Sequence, residues 1–437
     1  MRRHLLTCLS ILIGLWLLPS FVYAAKPIIV VNSGHHSWML FSTLLVLFMT
    51  IPGLALFYGG LVREKNVLSI VALCFIIAAI MSIMWVLFGF SLSFTSGDLY
   101  NKFIGKFSSC LFRDINIFDL IQGPKGAQDR FIFAAYQMGF AIIAPVLIIG
   151  GFPERAKLFS IILFVSLWES TVYYPIAHWV WGGGWLQQLG VLDFAGGTAI
   201  HINAGMAGLI GALLVGKRKD FLREEIPPHN ITLVVTGAGI IWFGWFGFNA
   251  GSANNLFQAT HIIFTTYLST ASAMLAWMIS QRLLLGKISV VGIISGAITG
   301  LVAITPACAF VGYIGAVCIG SIAGILCMIL SNIKYKLGYD DSLDAFGVHG
   351  VGGVIGCILT GVFAHAALGG VGLSSGVSIY QQVLVQLLST VVTLAWSAFW
   401  SFIILKLIDC TLGLRISDEE EETGLDLTYH GERGYNL

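Results

Sequence analysis

Residues 193–211 read DFAGGTAIHINAGMAGLIG and place one histidine, His201, inside a small and apolar run long enough to cross a lipid bilayer. A second stretch, residues 341–359, reads DSLDAFGVHGVGGVIGCIL and carries His349. When the two histidines are aligned, an aspartate falls eight residues before each, and glycines fall four and seven residues after each. The matched spacing predicts an internal repeat, and the alternative is a chance match in a chain with 51 glycines.

The composition sets the class of protein. The chain is 57% hydrophobic and only 10% charged, whereas a soluble domain carries about 25% charged residues. Repeated apolar runs separated by short polar loops predict an all-α polytopic membrane protein in a lipid bilayer. The glycine content favours closely packed helices. The net charge of +1 gives no sign of a nucleic-acid partner.

Eleven transmembrane spans are predicted. They lie near residues 37–60, 66–94, 127–150, 157–180, 197–216, 229–251, 260–281, 288–306, 310–332, 343–366 and 380–408. Residues 1–24 have the basic tip, short apolar core and small-residue end of a secretory signal peptide, and an uncleaved signal anchor is the alternative. The predicted domains are therefore the signal peptide 1–24, a transmembrane domain 25–408 and a tail 409–437.

The distribution of positive charge predicts the orientation. With the mature N-terminus outside, eleven spans leave the tail inside. Of the 23 lysines and arginines, 15 then fall on the interior side, six on the exterior side and two in the signal peptide. This excess follows the positive-inside rule.

The repeat predicts where the two histidines lie. Span five runs inward and span ten outward, so the repeated elements are inverted, an arrangement found in many transporters. Each histidine is about 12 Å from its entrance, which puts the two imidazoles within roughly 6 Å of the same depth. Two neutral rings could then hydrogen-bond and relay a proton. The alternative is that each histidine is a buried side chain bonded to a neighbouring carbonyl.

Several motifs, in order along the mature chain, carry a family resemblance. They are LFMTIPGLALFYGGLVREKNVLS from residue 47, YQMGFAIIAP from 136, PIAHWVWGGG from 175, LDFAGGTAIHINA from 192, GWFGFNAGSA from 244, TPAC from 305, FGVHGVGG from 346 and GLRISDEEEETGLDL from 413. Together they resemble the Amt/Mep/Rh ammonium transporter family, and the bacterial Amt branch closely.

The resemblance implies a fold and a function. The fold is an eleven-helix bundle of two inverted five-helix repeats plus a final helix, assembled as a homotrimer with one pore per subunit. The function is ammonium transport, with no enzymatic activity, catalytic residue, cofactor or metal. The location is the inner (plasma) membrane of a bacterium.

The resemblance also implies roles for particular residues. Ammonium is expected to bind in an outer vestibule and to pass a phenylalanine gate, while paired histidines line the pore and relay the proton. These residues are Trp181, Phe140 and Ser252 for the vestibule, Phe140 and Phe248 for the gate, His201 and His349 for the relay, and Asp193 as a structural carboxylate that helps to attract cations.

Each of these residues also has a plainer interpretation. Trp181 could belong to the aromatic belt at the membrane surface, where Trp179 and Trp185 are expected. The two phenylalanines could be a core pair, and Asp193 could cap a helix. Tyr136 departs from some family members, which have another aromatic residue there, and no change of chemistry is expected from it.

The tail has its own motif. Five consecutive acids, Asp418 to Glu422, would by themselves predict a solvated segment. The resemblance instead implies a tail that packs beneath the trimer and cooperates with a PII-type signal protein on the cytoplasmic face. It assigns this role to Gly413, Arg415, Gly424, Asp426, His430 and Gly431.

Transport has three alternatives. An ammonium sensor or receptor that signals through the tail is the main alternative. A redox protein with the histidines as haem ligands would need more separation between the rings. A potassium channel would need a carbonyl filter of the TVGYG kind, and the sequence shows none.

Overall fold

The computed structural model describes residues 33–115, 120–123 and 126–435. The predicted signal peptide, residues 1–24, lies outside the described residues. The described chain from Ser33 onward belongs to one compact unit.

The described residues form a bundle of long apolar helices. Ten of them are long and apolar enough to cross a membrane, and an eleventh, α8, is shorter. The helices are α1 (Ser33–Leu61), α2 (Glu64–Phe94), α3 (Arg130–Gly151), α4 (Leu158–Gln188), α5 (Gly197–Val215), α6 (Ile231–Ala250), α7 (Leu256–Leu285), α8 (Val290–Ile304), α9 (Tyr313–Leu337), α10 (Ala345–Phe363) and α11 (Ile379–Thr411). The prediction of an all-α polytopic membrane protein is confirmed.

Two details differ from the predicted spans. The residues just before α3 form an antiparallel hairpin, β1 (Leu120–Gly123) and β2 (Gly126–Asp129), where the sequence predicted the start of span three. The helix α8 ends at Ile304. The TPAC motif that follows it forms buried turns with local backbone hydrogen bonds and does not continue the helix.

Side-chain caps fix where several helices begin. Asn230, Asn255 and Ser289 each accept a hydrogen bond from a backbone N–H in the first turn of α6, α7 and α8. Ser378 and Gln381 form a reciprocal capping box at the start of α11. Such caps satisfy backbone donors that have no partner inside the helix.

The helices α5 and α10 cross as an antiparallel pair, each beginning with a π-helical segment that contains its histidine. A Cβ added at Gly205 would lie 2.3 Å from the backbone nitrogen of Gly350. At the matching position in α10, a Cβ on Gly353 would lie 3.1 Å from the backbone nitrogen of Ile202. The glycines of the repeat therefore allow the two histidine segments to touch backbone to backbone.

The tail folds back onto one end of the bundle, which we call the tail side. Lys157 donates its backbone N–H to Leu414, and Ile416 donates to Arg155, so the chain after α11 runs beside the start of α4. The acidic run forms a short helix, α12 (Asp418–Thr423). Its Glu421 is only 2% exposed and pairs with Arg415 at 2.7 Å. The acidic run is therefore docked and not uniformly solvated.

A second contact ties the tail to α2. The Asp426 carboxylate accepts hydrogen bonds from the backbone N–H groups of Leu68 and Ser69, at 2.9 and 2.8 Å. These N–H groups lie in the first turn of the α-helical part of α2, which begins at Val67, so Asp426 caps a helix far away in sequence. Of the predicted tail residues, Arg415 and Asp426 thus have clear structural partners.

Candidate functional site

The predicted vestibule and gate residues form one chain of aromatic contacts. The Trp181 and Phe140 rings have centroids 5.9 Å apart, and the Phe140 and Phe248 rings are 4.4 Å apart in an edge-to-face arrangement. Both phenylalanines are fully buried. The Phe248 ring lies 6.0 Å from the His201 ring, so the aromatic contacts lead directly to the histidines.

The two histidine rings face each other. Their centroids are 5.4 Å apart with 22° between the ring planes, close to the separation in depth that the repeat predicts. The predicted hydrogen bond between the rings is not present, because neither ring nitrogen of His201 has a hydrogen-bond partner among the described residues.

Trp245 completes the histidine stack and was missed by the sequence analysis. Its ring stacks on His201 at 5.3 Å with 13° between the planes. Its indole N–H donates to the Thr305 hydroxyl at 2.9 Å, which holds the ring in place. Trp245 is three residues before Phe248, so the GWFGF motif contained a signal for it: residues three apart share one face of a helix.

Tyr136 anchors the gate. Its hydroxyl donates to the backbone carbonyl of Phe248 and accepts from Ser252 at 3.3 Å. Its ring packs on Phe140 at 4.9 Å. A phenylalanine at this position could make the ring contact but neither hydrogen bond. The Tyr136 hydroxyl therefore fixes the gate and Ser252 relative to each other.

Asp193 connects the vestibule to the histidine helix. Its carboxylate accepts hydrogen bonds from the backbone N–H groups of Gly196, Gly197, Thr198 and Ala199, at 2.7–3.1 Å. Its backbone carbonyl accepts the Trp181 indole N–H at 2.9 Å. Burial raises the pKa of Asp193, and the four N–H donors oppose that shift.

Asp193 also determines where α5 begins. Gly196, which precedes the π-helical segment, has a φ of +115°, a backbone conformation that favours glycine. At the matching place in α10, the Asp341 carboxylate accepts from Ala345, Phe346 and Gly347 at 2.9–3.2 Å. The capping role proposed as the plainer interpretation of Asp193 is therefore present, and it positions Trp181 at the same time.

Gln386 of α11 holds the loop that carries Asp193. Its side-chain amide donates to the Leu192 carbonyl at 2.7 Å and accepts the Leu192 N–H at 2.8 Å. It also donates to the Cys357 carbonyl of α10 at 3.1 Å. The side chain is fully buried, so it is a fixed support for the residue next to Asp193.

For the ammonium transport that the sequence resemblance implies, replacing Gln386 with leucine is expected to raise the half-saturating ammonium concentration by roughly tenfold, because Trp181 loses its fixed position. The measurement is uptake against ammonium concentration in proteoliposomes. Leu387→Ala, at a neighbouring exposed position on α11, is the control. An unchanged half-saturating concentration in the Gln386 variant would contradict this positioning role.

A cavity on the tail side reaches His349. It has a volume of about 180 Å³, and its lining includes Lys334, Ser342, Asp344 and His349. The Lys334 ammonium bonds to the Asp344 carboxylate at 2.5 Å. The histidine pair is therefore contacted by the Phe248 ring, through His201, and by a cavity with both polar and apolar lining residues, through His349.

Buried charges below this cavity form a network that the sequence analysis missed. Glu154 pairs with Arg63 at 3.0 Å and with Arg218 at 2.7 Å, and Arg218 also pairs with Asp340 at 2.9 Å. Burial disfavours the charged carboxylate, but the Arg218 and Arg63 guanidiniums lower the pKa of Glu154 to about 2. Because this pKa is depressed, the stabilisation is present above the usual glutamate pKa and is lost only as the pH falls towards 2.

One membrane-surface assignment is wrong. Trp179 is only 4% exposed, donates its indole N–H to the Phe103 carbonyl at 2.7 Å and packs on Trp396. It therefore lies inside the subunit and does not belong to an aromatic belt. Trp185 packs beside it, at 5.8 Å between ring centroids.

The fold and this site define a class of protein. A bundle of membrane-spanning helices encloses a file of apolar aromatic side chains that ends at paired histidines. In membranes, ionisable side chains inside a bundle mark pathways for substrates or ions. The protein is therefore a multi-pass membrane protein of the transporter or channel class.

Comparison with known proteins gives the family. The model of the Ammonium Transporter Family matches residues 37–435. An ammonium transporter of Aquifex aeolicus is 46% identical over 422 residues, covering 96% of each chain. The chain belongs to the ammonium transporter family.

Solved structures agree with this assignment. The crystal structure of Saccharomyces cerevisiae Mep2 has a TM-score of 0.80 at 36% identity and covers 89% of this chain and 88% of its own. A protein described as a sensor Amt protein has a TM-score of 0.83 at 29% identity, covering 91% of this chain and 98% of its own.

Proposed function

We propose that this chain recruits ammonium at an outer vestibule, deprotonates it and conducts ammonia past the paired histidines to the cytoplasm. The proposal places Trp181, Phe140 and Ser252 around the cation, Phe140 and Phe248 at the gate, and His201 and His349 beside the conducted ammonia. The observation that carries it is the unbroken file of rings from Trp181 to the two imidazoles.

The vestibule chemistry suits a small cation. Aromatic faces attract ammonium through their quadrupole, with about 2 kcal/mol or more when the cation is desolvated. A serine hydroxyl can accept one of its N–H bonds. Below the vestibule, the buried Phe140 and Phe248 rings present apolar surfaces, which do not replace the hydration shell of an ion.

This arrangement explains how ammonium is told apart from potassium. The two ions are similar in size, so a polar filter would discriminate poorly, but only ammonium can lose a proton. A gate of apolar rings admits neutral ammonia far more readily than any ion. The discrimination then comes from chemistry and not from the diameter of the pore.

The histidines are suited to guide ammonia and to pass the proton. A neutral imidazole has one donor and one acceptor, so it can bond to ammonia in either sense. Because the rings face each other without a direct bond, proton transfer between them requires a rotation of one ring or a bridging molecule. The buried site favours neutral over charged imidazole.

Uptake of ammonium by the purified protein in proteoliposomes, with electrical recording, tests this function and separates it from a sensor. A transporter gives uptake that depends on the protein and saturates. A sensor binds ammonium with little flux. Absence of flux above that of empty liposomes would overturn the proposal.

We also propose the assembly and the location. The subunit forms a homotrimer in the inner membrane of a bacterium, with residues 1–24 removed as a signal peptide, the N-terminus outside and the tail 409–437 in the cytoplasm. The tail side carries Arg63, Lys65, Arg218 and Lys219, in keeping with the positive-inside rule.

The docked tail is proposed to take part in regulation by a PII-type signal protein. Glu421 is its main anchor, since it bonds to Arg415 and to the backbone N–H of Lys219 at 2.8 Å. The segment that follows is fixed by Asp426 on α2. A docked tail presents a defined surface at the cytoplasmic end of the pore, where such a protein could bind.

Glu421→Gln is expected to weaken tail docking by about 2 kcal/mol, because charge-assisted hydrogen bonds are lost. Binding of a PII-type protein to the variant should weaken while uptake without that protein persists, measured by titration and by flux. The exposed Glu419→Gln is the matched control. Full and normally regulated uptake after deletion of residues 411–437 would contradict the regulatory role.

A further inference from the structure

One ionisable side chain in the membrane interior has no part in the proposed pore. Glu169 lies on α4, eleven residues after the first residue of the helix, which corresponds to about 16 Å along the axis. That is roughly half the thickness of the hydrocarbon core. Glu169 is fully buried, and neither carboxyl oxygen has a hydrogen-bond partner among the described residues.

The side chains around Glu169 are also polar and also lack partners. Tyr173 and Tyr174 are one turn further along α4, fully buried, with ring centroids 6.0 Å apart. Tyr173 and Tyr174 follow Glu169 by four and five positions, and these spacings place side chains on one face of a helix that is π-helical over this turn. Neither hydroxyl has a partner within the part of the chain that the structure describes, and the same holds for the Trp168 indole N–H.

The local backbone brings these groups together. Residues Glu169–Tyr173 are π-helical. In a π-helix, residues five positions apart lie one above the other on the same face, as Glu169 and Tyr174 do. The Trp168 ring also stacks on Tyr173 at 6.5 Å. One carboxyl and three N–H or O–H donors therefore share a single stretch of α4.

The surroundings supply no counter-charge. The segment Glu169–Tyr173 packs against α3 and α11, and the Tyr174 ring contacts Trp85 and Phe88 of α2. The buried polar side chains of α3 and α11 are Tyr136, Gln137, Gln382, Gln386, Ser389, Thr390, Thr393, Ser397 and Ser401, and Cys74 is buried on α2. No lysine, arginine, aspartate or histidine is among the buried residues of the described α3 and α11.

A carboxyl with these neighbours can exist in two forms. With a proton bound, its O–H can donate to a tyrosine oxygen. After the O–H bond breaks and the proton leaves, the carboxylate can accept from both tyrosine hydroxyls and from the Trp168 indole N–H. A carboxyl that only filled space would need a single acceptor, so three donors without other partners favour a group that changes its protonation state.

We propose that Glu169, with Tyr173 and Tyr174, is a second proton-binding site in the membrane interior, separate from the histidine pair, which exchanges its proton during transport. The exchange rests on the proposed function, in which ammonium gives up a proton that crosses the membrane separately from ammonia. The proton is the ligand of the site, and no other cofactor is needed.

Infrared difference spectroscopy of the reconstituted full-length protein tests the site directly. The spectrum of the protein minus that of Glu169→Gln should show the carbonyl stretch of a protonated carboxyl at neutral pH, and this band should shift in D₂O. Tyr173→Phe and Tyr174→Phe should each move the titration of the band to higher pH, because the carboxylate loses a donor. Thr171→Val, on the same helix, is the control and should leave the band unchanged.

Transport is the second readout. Glu169→Gln should lower the ammonium-driven current by about 100-fold or more, as expected for loss of a proton-transfer group. A missing band, a band that never exchanges in D₂O even during turnover, or an unchanged current would each overturn the proposal. Failure of the proposed function would appear differently, as absence of ammonium flux in the unsubstituted protein while the carboxyl band, and its shift in the tyrosine variants, are still observed.

Discussion

His349→Ala is expected to abolish the ammonium-driven current of the protein in proteoliposomes. The His349 ring lies 5.4 Å from the His201 ring and also lines the cavity on the tail side, so it connects the file of aromatic rings to that cavity. Alanine removes the donor and the acceptor at this point. Loss of a proton-transfer group of this kind costs on the order of 100-fold in rate or more.

The cause of that loss can be checked by a double-mutant cycle. If the two imidazoles act as one unit, His201→Ala alone should cost about as much as both substitutions together. His36→Ala, at the start of α1 and away from the aromatic file, is the control for the loss of a histidine. Unchanged current and selectivity in His349→Ala would remove the histidine relay from the mechanism.

Asp193→Ala is expected to have the second large effect, on both stability and transport. The substitution leaves four buried N–H groups at the start of α5 without an acceptor, and it releases the turn whose carbonyl holds Trp181. Since each lost charge-assisted hydrogen bond costs about 1.5–3 kcal/mol, the free energy of unfolding should fall by on the order of 3 kcal/mol or more.

The measurements for Asp193 are thermal unfolding in detergent and uptake in proteoliposomes. Asp193→Asn keeps one acceptor oxygen and should retain part of the stability. Asp98→Ala, which removes an exposed carboxylate paired with Lys106, controls for general attraction of cations. If Asp193→Ala were as stable as the unsubstituted protein, the capping role would be contradicted.

Much of the fold could be predicted because hydrophobicity and the repeat are strong signals. Runs of about 20 apolar residues predict helices that span a bilayer. The aligned aspartates, histidines and glycines predicted an inverted pair, and the structure shows the same contacts at Gly205 and Gly353. The hairpin before α3 was missed because its short strands adjoin an apolar run that reads as helix.

The site was predicted in part, for a clear physical reason. Motif positions identified the rings from Trp181 to His349, because each lies in a distinctive stretch of sequence. The residues that support this region were missed: Trp245, Gln386 and Glu154 contact His201, Leu192 and Arg218, which lie 44 to 194 positions away in the sequence. Residues so far apart in the sequence come into contact only when the helices pack together.

The ring geometry shows a further limit of reasoning from sequence. The repeat fixed the depth of the two imidazoles but not the angle between them. The Trp245 ring lies against His201 with 13° between the planes, and the His201 ring nitrogens have no hydrogen-bond partner among the described residues. This contact involves a tryptophan of another helix, α6, which the repeat alone does not indicate.

Selectivity measured in one preparation of proteoliposomes tests the central claim most directly. Current and uptake are recorded with equal gradients of ammonium and then of potassium. If the aromatic file passes ammonia only after ammonium has lost its proton, ammonium gives uptake and potassium gives neither uptake nor current. Potassium transport at a rate comparable to that of ammonium would contradict the account, because potassium has no proton to lose.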